Sequence, residues 1–319
     1  MEPERSRRTV AIVGGAGAVG STTAFALTNS RLVDEVVLVD VDHERAVGQA
    51  TDLGHGTAFT SPTRVRAGGY EDCRNADVVI VTAGAAQDPD ETRLELVDRN
   101  AGIIADVVPK ATAAADDPVV LVVTNPVDVL THVARSVSEL PAGRVVGSGT
   151  VLDSARLRHT LGREFGRDPA AVDAYVIGEH GDSSVPVWSA TTVGGVPFES
   201  YCARHGVDDA DAFRRRIRRE VREAAYGIIE RTGRTNYGVA RSVTAVVESI
   251  LGDDRAVFTL SVPAAGRHGV DRDAHVGLPC VVGDGGVREV LELDLAPAER
   301  RALADSAAVV GESIDRLSV

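Results

Sequence analysis

Cysteine is scarce in this sequence, and what there is suits neither cross-linking nor metal binding. Cys73, Cys202 and Cys280 are odd in number and far apart, with no C-x-x-C pair and no Cys/His cluster at ligand spacing. Neither disulfides nor a zinc or other metal site is expected. Long apolar runs are missing too. Nowhere do about eighteen uninterrupted apolar residues occur, the length a bilayer demands, and the opening MEPERSRRT is charged where a signal peptide would be apolar. The expectation is a soluble, cytoplasmic protein with no membrane partner. Positive charge is in deficit: 34 Lys and Arg stand against 47 Asp and Glu, a net charge of −13. A field of that sign repels phosphate and argues against nucleic acid as a partner, so any anionic ligand must be caught by local cations. Lysine is nearly absent, Lys110 being the sole one. With abundant Asp, Ala, Val and Gly, this bias fits either a GC-rich genome or a high-salt cytoplasm. The arginine run within Phe213–Glu220 follows Asp208, Asp209 and Asp211 and reads as a solvated, self-compensating helix surface.

What is present is enough apolar residue, 44% of 319, to bury a core of two domains or one large α/β unit. The first half alternates short β-branched runs with helical patterns. Strands are expected near Thr9–Val13, Glu35–Val39, Arg64–Ala67, Asp77–Val81, Val119–Val123 and Val145–Gly147. Near-continuous apolar strands joined by helices imply a parallel sheet covered on both faces, the doubly wound (Rossmann) architecture. After Gly149 the rhythm becomes α+β. A helix over Leu152–Phe165 leads into strand-like segments at Ala174–Ile177, Trp188–Val193 and Val196–Phe198. Long helices follow over about Asp208–Arg231 and Asn236–Leu251, then strands at Ala256–Val262, Leu278–Val282 and Val287–Leu293, and a last helix from Pro297. No internal repeat or low-complexity linker interrupts the chain. The expected domains are residues 1–149 for cofactor and 150–319 for substrate.

VGGAGAVG, Val13–Gly20, sits between the first strand and the first helix. It reads as Gly15-x-Gly17-x-x-Gly20 or as Gly14-x-x-Gly17-x-x-Gly20, and either spacing lets backbone approach a pyrophosphate at a helix N-terminus. Glycine-rich turns of this kind also arise for packing alone. Asp40 raises the signal, because it ends the second strand twenty residues beyond Gly20. A carboxylate there accepts from ribose hydroxyls and repels the extra phosphate of NADP, so NAD is the expected cofactor.

A second signal is IGEHGDSSVPVW, Ile177–Trp188, where glycines flank His180 in a tight turn. The other seven histidines read as structural. VLDSARLRH places Asp153 and Arg156 one helical turn apart, on one face. A carboxylate to orient an imidazole and a guanidinium to fork onto a carboxylate are what oxidation of a 2-hydroxy acid requires. Taken without His180, the same two residues are an ordinary helix-surface pair.

With these motifs together, the sequence resembles the L-lactate/malate dehydrogenase family. The likeness runs through VGGAGAVG, LVDVDHERA, TAGAAQDPDETRLELVDRN, VTNPVDVLT, VVGSGTVLDSARLR, IGEHGDSSVPVW and GRTNYGVA. The resemblance implies that His180 is the general acid/base, Asp153 its partner, Arg156 the clamp on the substrate carboxylate, and Arg93 the polariser of the carbonyl, carried on a mobile loop. It places Asn125 and Ser148 along the nicotinamide and substrate, Thr235 over the substrate, and Val19 and Val239 behind the nicotinamide ring. Gln87 falls where lactate dehydrogenases carry glutamine and malate dehydrogenases an arginine, which points to L-lactate/pyruvate. The stretches GQATDLGHGTAF and TRVRAGGYED resemble malate dehydrogenases instead, so malate/oxaloacetate stays open. A catalytically dead NAD-binding sensor on the same fold is the reading outside enzymology. Its signature would be loss of His180, Asp153, Arg156 or Arg93, and none is lost. The family's sugar-bisphosphate-activated members pair an arginine with a histidine at a subunit interface; here Arg158 matches the arginine but Asp173 holds the histidine position, so that activation is not expected. By the same resemblance the chain is a homotetramer acting on a small 2-hydroxy/2-keto acid.

Overall fold

In the computed structural model, residues 7–85 and 92–318 are described. The N-terminal half runs β1 (Thr9–Val13), α1 (Ala18–Thr28), β2 (Glu35–Val39), α2 (His43–Gly56), β3 (Arg64–Gly68), β4 (Val78–Val81), α3 (Arg93–Ala114), β5 (Val119–Val122), α4 (Val127–Val137) and β6 (Val145–Gly147). The strands TVAIV, EVVLV, VVIV and VVLV are buried at every position. They do not alternate because helices cover both faces of the sheet, which leaves no solvent side for polar residues. Their order is β3-β2-β1-β4-β5-β6, all pairs parallel. The order reverses between β1 and β4, and in open α/β sheets the crevice at such a switch point is where ligands bind.

The second half comprises α5 (Val151–Phe165), β7 (Val172–Asp173), β8 (Val176–Ile177), β9 (Val185–Pro186), β10 (Thr192–Val193), β11 (Val196–Pro197), α6 (Phe198–Arg204), α7 (Ala210–Thr232), α8 (Tyr237–Gly252), β12 (Ala256–Pro263), β13 (His275–Gly283), β14 (Gly286–Val290) and α9 (Pro297–Asp315). Antiparallel β12–β14 extend the large sheet beyond β6 through the pairing of Ser261 with Gly147, giving nine strands in one sheet. A satellite core under α5–α7 contains Leu157, Phe198 and Ile217.

Several expected strands of this half are shorter or are not strands. Ala174–Ile177 is strand only at its last two residues, and Trp188–Ala190 is a 3-10 turn rather than the start of a strand. Two causes act there. Pro186 has no N–H for a ladder, and the amide and hydroxyl of Ser189 are taken by the Glu299 carboxylate of α9, at 3.0 and 2.5 Å. Phe198 opens α6 instead of closing a strand, and the final strand stops at Val290, not Leu293. The arginine run is compensated mainly from outside its own helix. Arg216 meets Glu164 of α5 at 2.6 Å and Arg214 pairs with Glu199 of α6 as well as Asp211, whereas Asp209 caps α7. Among the described residues no helix is long and apolar enough to cross a membrane.

Candidate active site

At the switch point the glycine turn is shaped by close backbone approach. Gly14 has φ +83°, and a Cβ there would lie 2.5 Å from the amide nitrogen of Ala83; at Gly20 it would lie 2.4 Å from the carbonyl oxygen of Gly14. Gly15 packs on Leu38 in the same way. These three positions hold β1, β2, β4 and α1 together, whereas Gly17 is the N-cap of α1 with no side-chain cap on the helix amides. Those amides and the positive end of the helix dipole are left for an anion. Asp40 is pinned beside them, accepting from the backbone N–H of Ala16 at 2.9 Å and of Asp42 at 3.0 Å. Gly14, Gly17 and Asp40, with Arg45 and Arg99, line a cleft of about 620 Å³. An uncapped helix start, a turn without side chains and an anchored carboxylate in one cleft fit a dinucleotide whose ribose carries no extra phosphate.

A second cleft, about 730 Å³, is lined by Asn125, Asp153, Arg156 and His180, among others. Asp153 stands in the first turn of α5, and Arg156 one turn on. Its carboxylate splits between two partners: Oδ2 meets His180 Nδ1 at 2.6 Å and Oδ1 accepts from Arg156 Nη1 at 2.9 Å. Among the described residues no group bonds His180 Nε2, so that nitrogen is available to the cleft. Burial opposes charge on the imidazole, but the charge and hydrogen bond of Asp153 outweigh it and lift the His180 pKa above the usual histidine value. Burial likewise pushes the Asp153 carboxyl up, yet His180 and Arg156 together hold it below the usual carboxylate range. The result is an ion pair at the wall of a cleft, with a guanidinium beside it.

The turn carrying His180 is tied on both sides. Gly178, at φ +86°, bridges Gly277 through backbone bonds of 2.9 and 2.8 Å. The N–H of Glu179 donates to Ser306 Oγ of α9 at 2.8 Å, and the N–H of His180 donates to Asp128 Oδ2 of α4 at 2.7 Å. Burial pushes the Asp128 carboxyl up to about 6, against the bonds from Ser261 and His180. Asn100 joins two loop ends, accepting from Ala85 N–H at 2.8 Å and donating to the Asn125 carbonyl at 3.2 Å.

The structure thus brings His180, Asp153, Arg156 and Asn125 to one cleft. Ser148 lies at the end of β6 with its N–H donated to Val122, and Thr235 lies in the connector before α8; neither lines either cleft. Val19 and Val239 are partly buried against one core where α1 packs on α8. Gln87 lies outside the described residues, as does the side chain of Arg93, whose backbone opens α3 after the Thr92–Glu95 capping box. Asp128, Asn100 and Ser306 were missed in the sequence. The one available signal was a carboxylate set among apolar residues in the first helical turn of NPVDVL.

Comparison with known proteins agrees with this two-part fold. Residues 8–147 match the model of the lactate/malate dehydrogenase NAD-binding domain, and residues 150–318 that of the lactate/malate dehydrogenase alpha/beta C-terminal domain. The chain belongs to the lactate/malate dehydrogenase family. Among curated relatives, an L-lactate dehydrogenase of Moorella thermoacetica is 47% identical over 310 residues, 97% of this chain and 98% of that one. Another, from Nitratidesulfovibrio vulgaris strain DP4, is 46% identical over 308 residues, 97% of this chain and 99% of its own. The minor L-lactate dehydrogenase of Enterococcus mundtii, solved with ligands bound, superposes with a TM-score of 0.94 at 39% identity, covering 99% of this chain and 100% of that one. A lactate dehydrogenase from a Medee basin deep-sea metagenome library superposes at 0.95 with 36% identity and the same coverage. In this family the glycine turn and Asp40 belong to the NAD-binding half.

Proposed function

We propose that the chain is an NAD-dependent L-lactate dehydrogenase, interconverting L-lactate and NAD with pyruvate and NADH. The observation that carries this reading is the carboxylate of Asp153 shared between His180 Nδ1 and Arg156 at the wall of one cleft. NADH, when bound, supplies the hydride that reduces the keto carbon. The remaining work falls to the chain. Arg156 holds the substrate carboxylate, Asn125 lines the same cleft, and Arg93 polarises the carbonyl. As negative charge develops on the substrate oxygen, protonated His180 delivers its Nε2 proton and Asp153 has stabilised the imidazolium beforehand. In lactate oxidation neutral His180 takes the hydroxyl proton. Gly15, Gly17, Gly20 and Asp40 seat the dinucleotide, with Ser148, Val19 and Val239 near its nicotinamide end and Thr235 over the substrate.

Three of the relatives named above are L-lactate dehydrogenases and the fourth a lactate dehydrogenase, each matched over almost its whole length, and by the family resemblance Gln87 is a neutral amide at the position where a dicarboxylate would need a cation. Residues 1–149 form the NAD-binding domain and 150–319 the substrate domain of a cytoplasmic homotetramer. Steady-state reduction of pyruvate and of oxaloacetate, measured in parallel, tests the substrate. Pyruvate is expected to have the higher kcat/KM by about a hundredfold, because a second carboxylate would be left unpaired in a closed site. Equal or faster turnover of oxaloacetate would make the protein a malate dehydrogenase.

A further inference from the structure

Asp128 has no part in the assignment above, yet its carboxylate bonds the backbone of the His180 turn. It is the second residue of α4, in the NAD-binding half, and is 2% exposed. Both of its oxygens are used by the other half: Oδ2 accepts from the His180 N–H at 2.7 Å, and Oδ1 from Ser261 Oγ of β12 at 2.5 Å. Among the described residues it has no arginine or lysine partner. An unpaired carboxylate in such a place is costly, and the bonding alone does not require charge. An asparagine oxygen would accept from the same N–H, and the Ser261 hydroxyl could turn to accept from the amide.

The nearby group that gains from a negative charge is the His180 imidazole in its protonated form. The ring is surrounded by Asp153 and Arg156 of α5, Asp128 of α4, Glu179 and Asp182 of its own turn, and Arg222 of α7. Of these, Asp128 alone also bonds the backbone of the residue that bears the ring. We propose that Asp128 is a positioning residue for proton transfer at His180, holding the turn and placing a second carboxylate beside the imidazole. The inference rests on the dehydrogenase reading for the meaning of that transfer. Because keto-acid reduction uses the imidazolium, activity falls as pH rises through the ring's pKa, and removing a negative neighbour must bring that fall to lower pH.

The test is pyruvate reduction across about pH 5 to 9, together with NMR titration of the His180 ring in histidine-labelled protein with NADH bound, in wild type and Asp128→Asn. The Asn variant should keep its NADH affinity, and both the alkaline limb of kcat/KM and the ring titration should move down by roughly 0.5 to 1 pH unit. Asp128→Ala, which loses the acceptor for the His180 N–H, should also lower kcat by roughly tenfold while pyruvate KM changes less than about twofold. A purely structural role would lower thermal stability and leave the limb in place. If the Asn variant does not fold, Ser261→Ala withdraws a donor from Oδ1, making Asp128 easier to protonate, and should move the limb in the same direction by less. An unmoved limb and ring titration in Asp128→Asn, or in Ser261→Ala where that is the variant that folds, overturns the proposal. A wild type that fails to reduce pyruvate removes the dehydrogenase reading, while the ring titration still decides the role of Asp128.

Discussion

In the proposed dehydrogenase the glycine turn at β1 and the histidine turn after β8 serve one reaction but are built on opposite principles. At Val13–Gly20 the geometry depends on side chains that are not there: a single methyl at Gly14 or Gly20 would lie within 2.5 Å of backbone. At Gly178–Ser184 it depends on side chains that are there, with Ser306 and Asp128 each holding one amide and Asp153 holding the ring. The first site is broken by adding atoms and the second by removing them. The difference follows from the ligand each serves. A pyrophosphate is met by many backbone donors at once, whereas a proton must leave from one nitrogen in one orientation.

The histidine turn should show the larger loss. His180→Asn keeps a polar side chain on the turn but has no titratable nitrogen, so kcat for pyruvate reduction should fall by ~100 to ~10,000-fold, with NADH affinity nearly unchanged in a fluorescence titration. Near-normal turnover would remove His180 from the proton-transfer role. At the glycine turn, Gly14→Ala forces a side chain onto a φ of +83° and against the Ala83 amide. The combined backbone and overpacking cost is about 2–5 kcal/mol, and urea unfolding together with a weakened NADH titration should report it. Stability and NADH affinity equal to wild type would show that the turn tolerates bulk.

Arg156→Lys should act on binding more than on chemistry. Arg156 already gives Nη1 to Asp153, and an ammonium cannot serve that carboxylate and fork onto a substrate carboxylate together. Losing one charged hydrogen bond is worth about 1.5–3 kcal/mol, so pyruvate KM should rise by roughly tenfold to a hundredfold. An unchanged KM would place the substrate carboxylate elsewhere.

The same contrast explains what could be read from the chain in advance. The parallel strands were legible because being buried on both faces leaves no choice but continuous apolar residues, as in TVAIV and VVLV, and their ends agree with expectation to within a residue or so. The glycine turn and Asp40 were legible because their spacing is fixed by a strand and a helix already identified. His180, Asp153 and Arg156 were also placed in one cleft, which needed the family resemblance, since 27 residues separate His180 from Asp153. Asp128 was not found, because its partners Ser261 and His180 lie 133 and 52 residues away. Trp188–Ala190 was misread as strand because its apolar pattern says nothing of Glu299, 110 residues on, which takes the Ser189 amide. Side chain to backbone bonds of that length leave no periodic mark in sequence.

The smallest effect expected comes from a histidine treated oppositely to His180. His275 of β13 is 3% exposed, its ring stands edge-on to His132 at 5.3 Å, and among the described residues neither of its nitrogens has a partner. Protonating it would bury a cation with no acceptor. Burial, reinforced by His132 and Arg135, accordingly pushes its pKa down to about 3, whereas Asp153 lifts that of His180. The signs of their contributions to stability are therefore opposite. His180 contributes stability that is fully present below the ordinary histidine pKa and is lost as pH rises through its own raised value. His275 favours the fold above the ordinary value, and that contribution is lost as pH falls from about 6.5 toward its own depressed one, at roughly 1.4 kcal/mol per pH unit. His275→Phe replaces the ring with one that cannot charge. Its unfolding free energy relative to wild type should improve by about 1 kcal/mol between pH 7 and pH 5.5, read from urea unfolding at one protein concentration so that subunit association does not enter the comparison. If the difference between the two proteins were the same at both pH values, the imidazole of His275 would already have a proton acceptor, and its burial would not be what holds it neutral.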